Sequence, residues 1–397
     1  MPRKIARLAL KIGIFCTILF GLTEIALRIV PNLMPRRSLP YLESEIRRRA
    51  AEGRYHTSDQ VRPLDRDDGG PLLRMWRPHA VVRYPGLEDK GAVKAVEMDE
   101  IGFGNPPGRY ADQIDIITIG DSFTFPHAID PKDAWGIRLG DLLGRSSYNL
   151  GLPRNGLHEY IQFLKQFGLS RKPKIVVLNV YEGNDLRDAV AFHKGAKGDD
   201  AMNLLPDRPW HDSFLGRNSY VYNAIRGYAD YLDDRGEQKD LERTIDFRFE
   251  VAGIPFNQEQ GSRDEPAYAL WQQEGRYGFD LYDDALHDFV ALAKEHGFRP
   301  IVTYSPWAHA VYGPVEFAQL GLREKLEAFS REQRAYFAGK AKELGYTFID
   351  LEPALKKEAG REGNPPREDN LLYYPTTIHY TARGHAVVAE AIAAKLR

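Results

Sequence analysis

A single cysteine, Cys16, is all the thiol chemistry in this 397-residue chain. One thiol builds neither a disulfide framework nor a cysteine-based metal site. That scarcity fits the cytoplasm and equally allows the periplasm. A charge excess is missing as well, with 54 Lys and Arg against 56 Asp and Glu. No basic block follows the N-terminus, so a nucleic-acid partner has no electrostatic footprint. Low-complexity stretches, internal repeats and His-x-x-x-His spacing are also lacking. The composition is that of an ordinary globular protein, with no metal and no organic cofactor implied.

Long apolar runs are lacking too, with one exception at the start. Leu8 to Val30 would reach roughly 34 Å as a helix, enough to cross a bilayer core. Arg3, Lys4, Arg7 and Lys11 precede or open it, and Ile12 to Thr23 carries no charge. Basic residues before a span favour an inside N-terminus and an extracytoplasmic remainder. Glu24 and Arg28, four residues apart, are expected as a pair near the far interface. No small-residue cleavage site follows, so residues 1–37 read as a basic cytoplasmic end and an uncleaved transmembrane signal anchor. Residues 38–110 read as a stalk and irregular lead-in, and 111–397 as the main domain.

From Ile114 the pattern becomes regular. Short apolar runs ("IDIITIG", "SYNLG", "KIVVLNV", "RPIVTYS", "YTFIDL") alternate with helical stretches such as "KDAWGIRLGDLLG", "YDDALHDFVALAKEHG" and "TARGHAVVAEAIAAKL", the last with Thr381 as N-cap. This alternation predicts a flavodoxin-like three-layer α/β/α sandwich around a five-stranded parallel sheet. Residues from about 187 to 280 break the rhythm and read as an inserted cap. They carry Trp210, Tyr220, Tyr222, Tyr228, Tyr231 and Trp271, which suit either the core of a lid or stacking on sugar rings.

Open sheets of this kind bind ligands at the carboxyl ends of their strands. There the chain places Gly120-Asp121-Ser122, Asn149-Leu150-Gly151, Gly183-Asn184-Asp185 and, before the last helix, "PTTIHYTARGH". Ser122 is expected at a helix N-terminus with its N–H towards an incoming oxyanion. Gly151 offers a second N–H and Asn184 a side-chain donor. Converging donors form an oxyanion hole, each worth about 3–4 kcal/mol. His379, in a loop, is placed to act as general base towards Ser122. Plainer readings stand beside these. Ser122 can be an N-cap, Gly151 a strand end and Asn184 a turn residue. Asp121 and Asp185 read as loop scaffolding, His385 as a packed or capping residue, and His127 and His158 as substrate contacts or solvated rings.

The four blocks, in this order, resemble the SGNH/GDSL hydrolase family over roughly residues 97–397. They also resemble its branch with one N-terminal membrane helix, through Glu24, Arg28 and the "DEIGFGN" turn. The resemblance implies a serine esterase with Ser122 and His379 catalytic, and Ser122, Gly151 and Asn184 as oxyanion hole. The family places an aspartate two or three residues before its histidine, where this chain has Thr377 and Thr376. A backbone carbonyl or a threonine hydroxyl can orient His379 instead, or an acid such as Asp369 or Glu368 can fill the place. The third reading is a weakly catalytic site that serves binding. The expected substrate is an acylated small molecule or glycan. The alternatives are a carbohydrate O-acyltransferase and a tethered glycan-binding or assembly protein. The sequence leaves the oligomeric state open.

Overall fold

The computed structural model describes residues 2–30, 61–64, 73–83, 95–153, 155–195, 213–226, 228–229, 247–248, 250–251, 253–256, 264–313, 316–317, 321–360, 366–367, 369–375, 377 and 379–397. Thr376, Glu368, Trp210, Tyr231 and most of the expected stalk lie outside them. The chain divides into two compact units, Met1–Arg74 with Lys194–Lys239, and Met75–His193 with Asp240–Arg397.

Along the chain run α1 (Pro2–Ile29), β1 (Ile116–Ile119), α2 (Trp135–Leu143), β2 (Ser147–Asn149), α3 (Leu157–Phe163), β3 (Ile175–Tyr181), α4 (Asp185–Gly195), α5 (Phe214–Asn218), α6 (Asp283–His296), β4 (Arg299–Ser305), α7 (Leu322–Leu344), β5 (Thr347–Asp350) and α8 (Ala382–Leu396). In the larger unit the five strands pair in the order β5-β4-β3-β1-β2. Every pairing is parallel. This is the flavodoxin-like order expected from the alternation. β1 and β3 are buried at every position. Helices cover both faces of such a sheet, so its strands need unbroken apolar runs rather than alternation.

Local chemistry sets the helix ends. Thr381 caps α8 by accepting a hydrogen bond from Gly384 N–H, as its sequence position implied. Ala134 gives α2 no side-chain cap. Instead His385 of α8 accepts the Trp135 N–H on its Nδ1 at 3.1 Å. One orphan donor of α2 is thereby satisfied across 250 residues of sequence.

One expectation needs correction. No α-helix begins at Ser122. Thr124 and Phe125 N–H both bond the Asp121 carbonyl, closing a single turn. Pro126 then removes a donor, and Ala128 adopts a left-handed φ of 59°. Within the stretch read as inserted, a helix starts at Asp185, and residues 213–229 belong to the smaller unit with α1.

In that smaller unit Leu10–Ile29 is long and apolar enough to cross a membrane. Its threonine hydroxyls bond back along the helix, Thr17 to Gly13 O and Thr23 to Leu19 O. Near its end Glu24 and Arg28 pair at 2.7 Å, as their spacing predicted. Both also reach residues about 190 positions away. Glu24 accepts from Ser219 Oγ (2.9 Å), Tyr220 N (3.0 Å) and Val221 N (2.9 Å). Ser219 Oγ accepts in turn from Tyr222 N. Arg28 donates to Asn218 O at 2.6 Å and lies 4.9 Å from the Tyr220 ring centre. Glu24 thus serves as a cap borrowed by the helical stretch 220–226, a role worth about 1 kcal/mol per cap in ordinary helices.

Candidate active site

β1 delivers Ser122 to the carboxyl edge of the sheet. Gly120 permits the turn because a Cβ there would come within 2.1 Å of Thr124 Oγ1. Asp121 is fully buried, and its Oδ1 accepts the Phe123 N–H at 2.8 Å. Burial pushes the Asp121 carboxyl up to about 7, reinforced by the Asp188 charge and opposed by hydrogen bonds from Phe123 and Asn184. Ser122 Oγ sits 3.5 Å from Asp121 Oδ2, a long contact that leaves the hydroxyl weakly held.

The expected oxyanion donors divide. Asn184, 8% exposed, hydrogen-bonds the Asp121 carboxyl. A primary amide has two N–H donors, so one is left for a ligand. Gly151 has one, and it goes to Asn149 Oδ1 at 2.8 Å. The structure gives Gly151 a different reason to be glycine. A Cβ there would lie 2.8 Å from Phe125 N and from Thr124 C. Gly151 thus supplies close packing under the serine turn, while its amide is spent within its own loop.

His379 comes to the same edge. Its ring lies 5.3 Å from the Phe123 ring and stacks on His127, with centroids 3.9 Å apart at an interplanar angle of 14°. Desolvation pushes the imidazole well below its ordinary value, helped by the nearby His127 and His385, while the Thr377 backbone opposes it. Only an acceptor favours the charged ring, so the Thr377 carbonyl is the group at hand. His379 Nδ1 is buried without a hydrogen-bond partner. Thr377 Oγ1 is likewise buried and unpartnered. Asp369, one candidate for the orienting acid, is exposed and paired with Arg367 at 3.2 Å. Among the described residues no carboxylate acts on His379.

His127 was legible in the sequence only as a loop histidine near the edge. Burial lowers its pKa to about 4. His158 lies in α3 rather than in a loop, stacked on Phe192 at 3.8 Å. Asp185 accepts from Tyr181 N–H and Tyr160 O–H, which makes it scaffolding. The third-strand loop also brings Glu182, whose Oε2 accepts Trp307 N–H and whose carboxyl burial raises to about 7. It lines a cavity of about 340 Å³ with Trp307, His309 and Tyr312. Among the described residues no group of three or more His, Cys, Asp or Glu is arranged to hold a metal ion.

A network invisible to motif reading ties the serine turn to the lead-in. Asp99 Oδ1 accepts three N–H groups, from Ile101, Gly102 and Phe103. Its Oδ2 accepts from Asn105 Nδ2 and Tyr148 O–H. Asn105 bonds the Asn149 backbone in both directions, and Asn149 Nδ2 donates to Thr124 O at 2.7 Å. The polar residues of "DEIGFGN" were the available signal.

This fold and these loops define the class, an open α/β/α sandwich with a serine, an amide and a histidine at its carboxyl edge. Solved structures it is similar to include ones described as of SGNH or G-D-S-L type and as acetylxylan esterases. One, described as lipolytic and of the G-D-S-L family, is from Desulfitobacterium hafniense DCB-2. It shares 14% identity over 71% of this chain and 99% of its own, with a TM-score of 0.34. Axe2, an acetylxylan esterase from Geobacillus stearothermophilus, shares 13% over 72% and 96%, with a TM-score of 0.36. LAE5, an α/β hydrolase enzyme from the metagenome of Lake Arreo, shares 14% over 72% and 97%, also at 0.36. No family model and no curated protein matches the chain. At these identities the reading of the site stands on its own residues.

Proposed function

We propose that the chain is a membrane-anchored, extracytoplasmic SGNH-type serine esterase that removes ester-linked acyl groups, with acylated polysaccharide or cell-wall glycan as the substrate class. The reading is carried by one observation: Asn184 bonds the Asp121 carboxyl beside Ser122, and the desolvated His379 ring lies 5.3 Å from the ring of Phe123, the next residue, at the same edge of the sheet. The apolar helix and its basic N-terminal flank support the anchor and its orientation. The substrate class follows from that location.

In this scheme the Ser122 hydroxyl turns from Asp121 and attacks the acyl carbon as His379 takes its proton. The Ser122 and Asn184 N–H groups receive the oxyanion. Collapse breaks the ester C–O bond, and His379 returns the proton to the departing alcohol. Water then attacks the acyl-enzyme, His379 again serving as base, to release the acid and free Ser122. A sugar hydroxyl in place of water makes the same site an O-acyltransferase. The unpartnered His379 Nδ1 favours a second reading, a tethered glycan-binding protein with little turnover.

The test is a fluorophosphonate probe and p-nitrophenyl acetate applied to the full chain in detergent. Labelling at Ser122 and turnover are expected, both lost in Ser122→Ala. A wild-type chain that is unlabelled and no more active than Ser122→Ala removes the esterase reading.

The stacked histidines set a pH dependence. A general base works neutral, so activity falls on the acid side as His379 protonates. Burial and His127 both hold that protonation below the ordinary histidine range. His127→Ala relieves both, so the acid limb of kcat/KM should move up in pH, and His127→Phe should move it less. An acid limb at the same pH in all three proteins would show that His127 does not act on the base.

A further inference from the structure

We propose that residues 213–229 dock in the interfacial layer of the bilayer crossed by α1, held at that depth by Glu24 and Arg28. The inference rests on reading α1 as a membrane span. Among the described residues, the exposed large apolar side chains outside α1 and Val30 are Leu142, Phe214, Leu215, Ile225 and Tyr228. Four of these five fall in the short segment that Glu24 and Arg28 grip. Phe214 is 78% exposed and Ile225 62%.

Depth is consistent with this placement. Glu24 lies five residues before the end of Leu10–Ile29, about 8 Å along the helix axis. Amphipathic helices lie with their apolar faces about 5–10 Å into the headgroup boundary. The chemistry agrees. A carboxylate inside a span needs partners, and backbone groups near lipid must be satisfied internally. Glu24 and Arg28 meet both needs with one segment: Glu24 takes the N–H groups of Tyr220 and Val221, and Arg28 takes the carbonyl of Asn218. A simple ion pair at the interface would leave the exposed Phe214, Leu215 and Ile225 side chains without a role. The Tyr228 ring is of the kind enriched at membrane interfaces.

The experiment uses the full chain in phosphatidylcholine–phosphatidylglycerol vesicles, with an environment-sensitive NBD label on one cysteine at a time. Labels go on native Cys16 and, in a Cys16→Ser background, on Phe214→Cys, Ile225→Cys and the exposed α7 control Lys342→Cys. Quenching by lipids carrying a doxyl group high on the acyl chain is compared with quenching by a doxyl group near its end. Labels at 214 and 225 should shift to the blue and be quenched more by the shallow group, with Cys16 quenched more by the deep one and Lys342 by neither. Glu24→Ala should lower quenching at 225 and leave Cys16 unchanged. If 214 and 225 match Lys342 while Cys16 is quenched, the docking inference is overturned and the span stands. If Cys16 is not quenched, the span reading fails and the inference falls with it. Crosslinking of 214 or 225 to a second copy without lipid quenching would make the occupant protein rather than lipid, and also overturns it.

Discussion

Replacing Thr377 by aspartate should raise ester turnover, by up to about 10⁴, the factor lost when the chymotrypsin-type triad loses the acid behind its histidine. Two buried atoms, Thr377 Oγ1 and His379 Nδ1, have no hydrogen-bond partner. An imidazole that must accept a proton at one nitrogen gains from an acceptor at the other, which fixes its tautomer and stabilises the cation. The Thr377 backbone already favours the charged ring, but burial and His127 outweigh it. A carboxylate two residues upstream supplies both the missing acceptor and the missing charge. The sign on pH is opposite to the rate gain. A neighbouring anion raises the His379 pKa, so the acid limb moves to higher pH while the plateau rises. Thr376→Asp is the companion variant, because the family resemblance allows either position. The check is kcat against pH with p-nitrophenyl acetate for wild type and both aspartate variants. Unchanged plateaus and unchanged acid limbs in both would show that the missing acid does not limit this site.

That site was legible in part, for physical reasons that differ by residue. β1 and β3 announced themselves because a parallel sheet buried on both faces demands unbroken apolar runs, and "IDIITIG" and "KIVVLNV" have no other use. Thr381 was readable as a cap because its partner is three residues away. His385 was readable only as packing or capping, since the N–H it accepts is on Trp135, 250 residues distant. The serine turn misled for a similar reason. A serine after an apolar strand predicts a helix start, and only the structure shows Pro126 and the left-handed Ala128 cutting that helix to one turn. Gly151 illustrates the opposite failure. Its position was right, but whether its single N–H faces a ligand or Asn149 depends on a side-chain angle that no spacing encodes. Glu24 and Arg28 were readable as a pair because they are neighbours on one helix, whereas their grip on residues 218–221 is a tertiary fact.

Asp99→Ala should cost at least about 1–3 kcal/mol of stability, the range for leaving a buried hydrogen-bonding group without its partner. Asp99 is 1% exposed and accepts five hydrogen bonds. Alanine leaves the N–H groups of Ile101, Gly102 and Phe103, the Asn105 amide and the Tyr148 hydroxyl without that acceptor, and an unsatisfied buried donor costs more than a made bond returns. Burial and the Asp99 charge both hold the Tyr148 phenol protonated, so its O–H stays a donor that needs an acceptor. Asp99→Asn separates the two halves of the network. The asparagine Oδ1 can still serve the three backbone N–H groups, but its NH₂ would face two donors, Asn105 Nδ2 and Tyr148 O–H, so this variant should lose stability while keeping the turn. Urea unfolding of the full chain in detergent, followed by tryptophan fluorescence, reads both. The loss should also reach the chemistry. Asn105 positions Asn149, and Asn149 holds both Thr124 O in the Ser122 turn and Gly151 N packed against that turn. In the fraction that remains folded, fluorophosphonate labelling of Ser122 should therefore slow in Asp99→Asn, and equally in Asn149→Ala. Wild-type stability in Asp99→Ala would mean that the lead-in turn does not support the fold, and wild-type labelling rates in both milder variants would mean that it does not aim the serine.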